Sequence, residues 1–210
     1  MNFPWFKLAS NERVAAPILL RELGVLTSLR VGRRIRRFER AGEPFCHLGE
    51  PDGEDDARSR AQIGPAILLY RVLLDVCDQE VAYRITQEIV IEAAVIFLRE
   101  TIGSLRRADL DGLDEDAKAA FAQDRGDRFF NASVVWDHLG SDEVRFTVTH
   151  CRFPPLCAAA GVPELAPIFC EGDRKFFGTV EPDVLLDRPE TIALGGSRCS
   201  FRLHYRDREP

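Results

Sequence analysis

The chain has 210 residues, 45% of them hydrophobic and 30% charged, and a net charge of −6. That length suits one domain with an ordinary core, and the composition excludes a disordered chain. The acidic balance excludes a general nucleic-acid binder, which needs a basic surface to neutralise phosphates.

In chain order, Asn2 to Lys7 reads as a short aromatic arm with Phe3, Trp5 and Phe6, expected to dock on the body of the protein. Met1 to Leu8 carries one lysine and no apolar run of signal-peptide length, so the expected location is cytoplasmic. Ser10 or Asn11 suits the cap of a helix starting near Glu12. The helix runs toward Arg40 with Leu20, Leu23, Leu26 and Leu29 as an apolar row. Its end carries Arg30, Arg33, Arg34, Arg36, Arg37 and Arg40, which read as a solvated face or as a polyanion site. Ala41 to Asp56 reads as a loop; it holds Cys46 and His47, and two residues do not make a metal site. Pro65 suits the first turn of a helix from Ala66, apolar on several sides. After a break at Asp78 and Gln79, Val81 to Ile102 reads as a second helix, stopped by Gly103. Its most apolar tract, Ile89 to Leu98, is interrupted by Glu92 and far shorter than the roughly 20 residues of a membrane span. Glu88 and Glu92 lie one turn apart, either solvated or paired with Arg84 or Arg99, or poised as a metal or acid–base pair.

A short helix is expected around Glu115 to Gln123. The period then changes: Phe130, Ala132, Val134 and Trp136 alternate, Leu139 to Asp142 turns, and Val144, Phe146 and Val148 alternate again. This is a β-hairpin, and continuing its alternation puts His138 and His150 on the apolar face. Pro154-Pro155 reads as a break, Pro163 to Phe177 as a helix, Glu181 to Gly196 as a loop or short helix, and Arg198 to Tyr205 as a third strand. The fold expected is α+β in a single domain, 1–210. Its helical part, 1–126, packs on one face of a small antiparallel sheet within 127–210. The sheet has strands near 128–138, 143–150 and 197–206, with the 163–177 helix against it.

Cysteines in a reducing compartment act as metal ligands, nucleophiles or small buried hydrophobes. Four of the six, Cys151, Cys157, Cys170 and Cys199, fall between His150 and Tyr205. Cys170 and Asp173 would share a helix face, Cys151 ends a strand, and Cys199 begins another, so thiols and a carboxylate could converge. A thiol works as a nucleophile once a cation or histidine favours its thiolate. Cys151 lies between His150 and Arg152, and Cys199 follows Arg198 with His204 on the opposite strand face. Asp173 beside Cys170 raises a thiol pKa and could instead position water or handle a proton. Three thiolates and a carboxylate also suit zinc or iron, and Cys151, Cys170, Asp173 and Cys199 could close a tetrahedral site. The irregular spacing lacks any CxxC pair. No cofactor is therefore expected, with zinc or iron as the alternative.

The order Thr149-His150-Cys151, Gly161-x-Pro163-Glu164-Leu165, Cys170-x-x-Asp173, Gly195-Gly196 and Cys199-x-Phe201 resembles the L-2-amino-thiazoline-4-carboxylic acid hydrolase family. The helical block from Gly64 to Phe97 is similar too, so the resemblance covers about residues 60–205. It implies a ring-opening hydrolase acting on a cyclic amidine-like C–N bond, with Cys151, Cys170, Asp173 and Cys199 as its polar constellation. Cys157 and the arginine cluster lie outside that pattern. The outline is also similar to 4-vinyl-reductase-type small-molecule-binding domains, in some of which cysteines and an acid hold zinc.

Two functions follow. In the first, a thiolate attacks the amidine carbon, Asp173 manages a proton or positions water, an arginine (Arg152, Arg198 or Arg202) holds the substrate carboxylate, and His150 also contacts the substrate. In the second, a metal-bearing, sensor-type domain closes over a ligand without turnover. The partner expected is a small molecule, with no nucleic acid and no membrane, and the apolar N-terminal helices leave a face through which a homodimer could form.

Overall fold

The computed structural model describes residues 8–106, 110, 112–140 and 142–206, with side chains from Arg13 onward. The aromatic arm lies outside the described residues. The fold is α+β, and the chain divides into two compact units that interleave in sequence. The first holds the described residues up to Ala93 and Phe153–Phe169; the second holds Ala94–Arg152 and Cys170 onward.

In the first unit, helix α1 (Leu8–Arg40) is two helical segments meeting at Gly24, whose φ of 71° and ψ of 172° are accessible essentially to glycine alone. Ser10 and Asn11 therefore lie inside the helix and not at its cap. The kink also resets the periodicity, so the expected Leu20–Leu29 row does not form one buried stripe. Ile18, Leu19 and Val31 are buried, while Leu20, Leu26 and Leu29 are exposed, as are the six arginines. Helix α2 (Gly53–Leu73) begins earlier than expected, because Glu54, Asp55 and Asp56 occupy its first turn and favour the positive end of the helix dipole. Pro65 thus falls mid-helix, where the lost hydrogen bond is offset by the burial of Ile63, Ile67 and Leu68 around it. Cys46 and His47 sit in a 3-10 turn, Cys46–Leu48. His47 Nε2 donates to the Ala159 carbonyl at 3.1 Å, and the Cys46 thiol donates to Glu43 at 3.5 Å. Helix α3 (Gln79–Ile102) is capped by Asp78, whose Oδ1 accepts from the Val81 amide at 2.9 Å. Glu88 on α3 pairs with Arg21 at 2.6 Å.

In the second unit, α3 contributes its last turns from Ala94. Helix α4 (Glu115–Gly126) is capped by Asp114, which accepts from the Ala117 amide. The hairpin forms as β1 (Ala132–Leu139) and β2 (Glu143–Cys151). The short helix α5 (Phe153–Ala159), of the first unit, stands where the two prolines read as a break, since proline is tolerated in a first helical turn. A 3-10 turn, Pro163–Leu165, precedes helix α6 (Ile168–Phe176), so the expected single helix is two pieces. Strand β3 (Val184–Asp187) lies in the segment read as a loop, and β4 (Cys199–Tyr205) is the expected last strand. The sheet order is β1-β2-β4-β3, all antiparallel.

Pairing aligns Trp136, Phe146 and Phe201 across three strands. Their rings stand 5.4 and 4.6 Å apart, the second pair stacked within 12° of parallel. Below this face Phe176, Phe177 and Val184 pack with Val95, Leu98 and Ile102 of α3. Two irregularities interrupt the hairpin register, between Ser133 and Val134 and between Trp136 and His138. Each shifts the strand by one residue, which turns the following side chain to the other face. His138, opposite Arg145, and His150, opposite Ser133, are therefore exposed and not on the apolar face.

Candidate functional site

Within the second unit, the end of β2, the helix α6 and the start of β4 each present a cysteine. Cys151 is the last residue of β2, paired with Ala132. Cys170 and Asp173 occupy one turn of α6, a helix held by a buried stripe of Ile168, Gly172 and Phe176 at four-residue spacing. Cys199 opens β4 opposite Val148 and is buried. Cys151 and Cys199 both lie near enough to act electrostatically on Cys170.

Arg188 completes this group. It follows β3, and its Nη1 donates to Asp173 Oδ2 at 2.5 Å while its Nη2 donates to the Cys170 carbonyl at 2.8 Å. The guanidinium carbon stands 4.9 Å from the centre of the Phe201 ring, a cation–π contact. Sequence reasoning missed Arg188 because it follows the strand that was not foreseen. The available signal was the Val184-Leu185-Leu186 run before it.

The turn before β4 is built to hold Cys199. The Ile192 amide donates to Cys199 Sγ at 3.2 Å. Glu190 closes the turn by accepting from the Ser197 amide at 2.7 Å. A Cβ on Gly196 would fall 2.5 Å from Glu190 Cγ and 2.9 Å from the Thr191 carbonyl, so that position needs a residue without a side chain.

Burial pushes the Cys170 thiol up to about 12; Arg188 pulls the other way, and Asp173, Cys151 and Cys199 add to the rise. Burial also pushes up Cys199, against the Ile192 amide and Arg188. The Asp173 carboxyl is raised by burial, opposed by the charge and hydrogen bond of Arg188. Cys170 and Cys199 are therefore neutral near pH 7, and the centre's chemistry would need a proton acceptor.

The other predicted site residues lie differently. His150 is exposed on the sheet's outer face. Arg152 is partly buried directly after Cys151, and its amide donates to the Asn131 carbonyl at 2.9 Å. Arg198 is exposed and 3.7 Å from Glu190. Arg202 pairs with Glu143 at 2.6 Å and Asp187 at 3.0 Å. Cys157 is buried in the first unit. Among the described residues no three His, Cys, Asp or Glu side chains are grouped so as to hold a metal ion. No described helix is long and apolar enough to cross a membrane.

No curated protein and no solved structure matches the chain. A family model, L-2-amino-thiazoline-4-carboxylic acid hydrolase, matches residues 57–203, a span that includes Cys151, Cys170, Asp173, Arg188 and Cys199. The match supports a small-molecule hydrolase in general. The chain belongs to the L-2-amino-thiazoline-4-carboxylic acid hydrolase family.

Proposed function

We propose that the chain hydrolyses a small carboxylated cyclic amidine of the 2-amino-thiazoline type, opening its ring at a C–N bond. What supports this reading is a thiol, Cys170, on which two further thiols, Cys151 and Cys199, and the Asp173 carboxylate act electrostatically, in a chain of this family.

One of Cys151, Cys170 and Cys199 attacks the amidine carbon. A thiol pushed up to about 12, as at Cys170, must lose its proton during the attack. Asp173, one turn along α6, receives it. The S–C bond forms, the ring C–N bond breaks, and the leaving nitrogen takes the proton from Asp173. Water then adds to the same carbon, the S–C bond to the protein breaks, and the thiol regains a proton. The net reaction is substrate plus one water. Arg152 holds the carboxylate, since Arg198 and Arg202 already have acidic partners.

The test is incubation of purified protein with L-2-amino-thiazoline-4-carboxylate, followed by liquid chromatography and mass spectrometry. A ring-opened product carrying one added water is expected, and its loss in a folded Asp173→Asn variant. No product from folded wild-type protein refutes the reading.

The neutral state of Cys170 and Cys199 also favours a second reading, ligand binding without turnover. Saturable binding of the thiazoline with no product formed would select it.

A further inference from the structure

Arg188 has no role in the steps above, yet its side chain is only 2% exposed. Its two Nη atoms grip one turn of α6 through different acceptors, the Asp173 carboxylate and the Cys170 carbonyl. Its guanidinium carbon also lies over the ring of Phe201, which is itself stacked on Phe146 in the sheet. One rigid fork therefore connects the sheet to the turn bearing the thiol and the acid.

We infer that Arg188 is the positioning residue of this centre: it holds the Asp173 carboxylate beside Cys170 as an ionised proton acceptor. The chemical role rests on the proposed function; the grip does not.

A carboxylate taken out of water favours its neutral form, and a neutral carboxyl cannot accept the thiol proton. Burial and Glu171 both push Asp173 that way. Glu171 has its own partner, Arg174, at 3.4 Å. Cys170 on the same helix and Cys199 on β4 are thiols with raised pKa values, and Cys151 on β2 adds no positive charge. Arg188 is the one cation among the described groups that acts on Asp173. A lysine would keep the charge but lose the fork, since an ammonium is a point charge and cannot present two coplanar N–H groups to two acceptors.

The experiment titrates the Asp173 carboxyl by 13C NMR in protein labelled at aspartate side chains, with Asp173→Asn for assignment. Wild type is compared with Arg188→Lys and Arg188→Met, and circular dichroism confirms the fold of each. The Asp173 midpoint should rise by at least about one pH unit in Arg188→Met, with part of that rise in Arg188→Lys. The acid limb of ring opening should move up with it, and kcat should fall at least about tenfold with little change in KM. An unshifted midpoint in the folded variants overturns the inference; if Arg188→Met does not fold, an unshifted Arg188→Lys does so alone. Wild-type protein that opens no ring refutes the proposed function, while the Asp173 midpoint still decides the role of Arg188.

Discussion

Gly172 meets Ala94 with no side chain of its own: a Cβ there would fall 2.3 Å from the Ala94 Cβ. Helix α6 thus approaches the last turns of α3 more closely than any side chain permits, at the residue just before Asp173. Replacing a helical glycine by alanine ordinarily gains about 1 kcal/mol. Here the new methyl meets another that cannot rotate away, and overpacking costs about 1–3 kcal/mol. The collision outweighs the propensity. Gly172→Ala should lower the urea midpoint, and Ala94→Gly in the same chain should restore part of it. An unchanged or higher midpoint for the single variant contradicts this packing.

The raised thiols make stability fall in alkali. In the unfolded chain a thiol loses its proton near pH 9, whereas folded Cys170 holds it to about 12. Between those values the folded state binds more protons than the unfolded state, so stability declines as pH rises. The slope is about 1.4 kcal/mol per pH unit for each such thiol. Denaturant midpoints measured from pH 8 upward should drop above about pH 9. Cys170→Ala should be less stable at pH 8 but show a shallower decline. Equal slopes for the two proteins would contradict the burial of this thiol.

The legible parts of the fold were those encoded locally. The alternation of Val134, Trp136, Phe146 and Val148 announces the hairpin, and residue type and spacing single out Cys151, Cys170, Asp173 and Cys199 as candidates. What stayed hidden depends on distant pairing or single-residue geometry. Strand β3 is four residues long and exists as a strand through its pairing with β4. Arg188, which follows it, was hidden with it. The bulges that turn His138 and His150 outward add one residue to the register and leave no mark in the alternation. The kink at Gly24 interrupts a run of leucines that otherwise reads as one helix face.

Arg152 offers a specificity test. If it holds the substrate carboxylate, Arg152→Ala should raise KM for the carboxylated thiazoline about tenfold or more, the loss of one charge-assisted contact. The same variant should treat 2-amino-thiazoline, which lacks the carboxylate, as wild type does. An equal loss on both compounds would assign Arg152 a structural part.

Mass spectrometry of protein quenched during turnover, with peptide mapping of any adduct, tests the central claim most directly. The account predicts an adduct carrying the amidine carbon on Cys151, Cys170 or Cys199, absent when that cysteine is replaced by serine in a protein that still folds. Steady ring opening with no adduct on any of these three thiols, and with activity kept in all three serine variants, would contradict it.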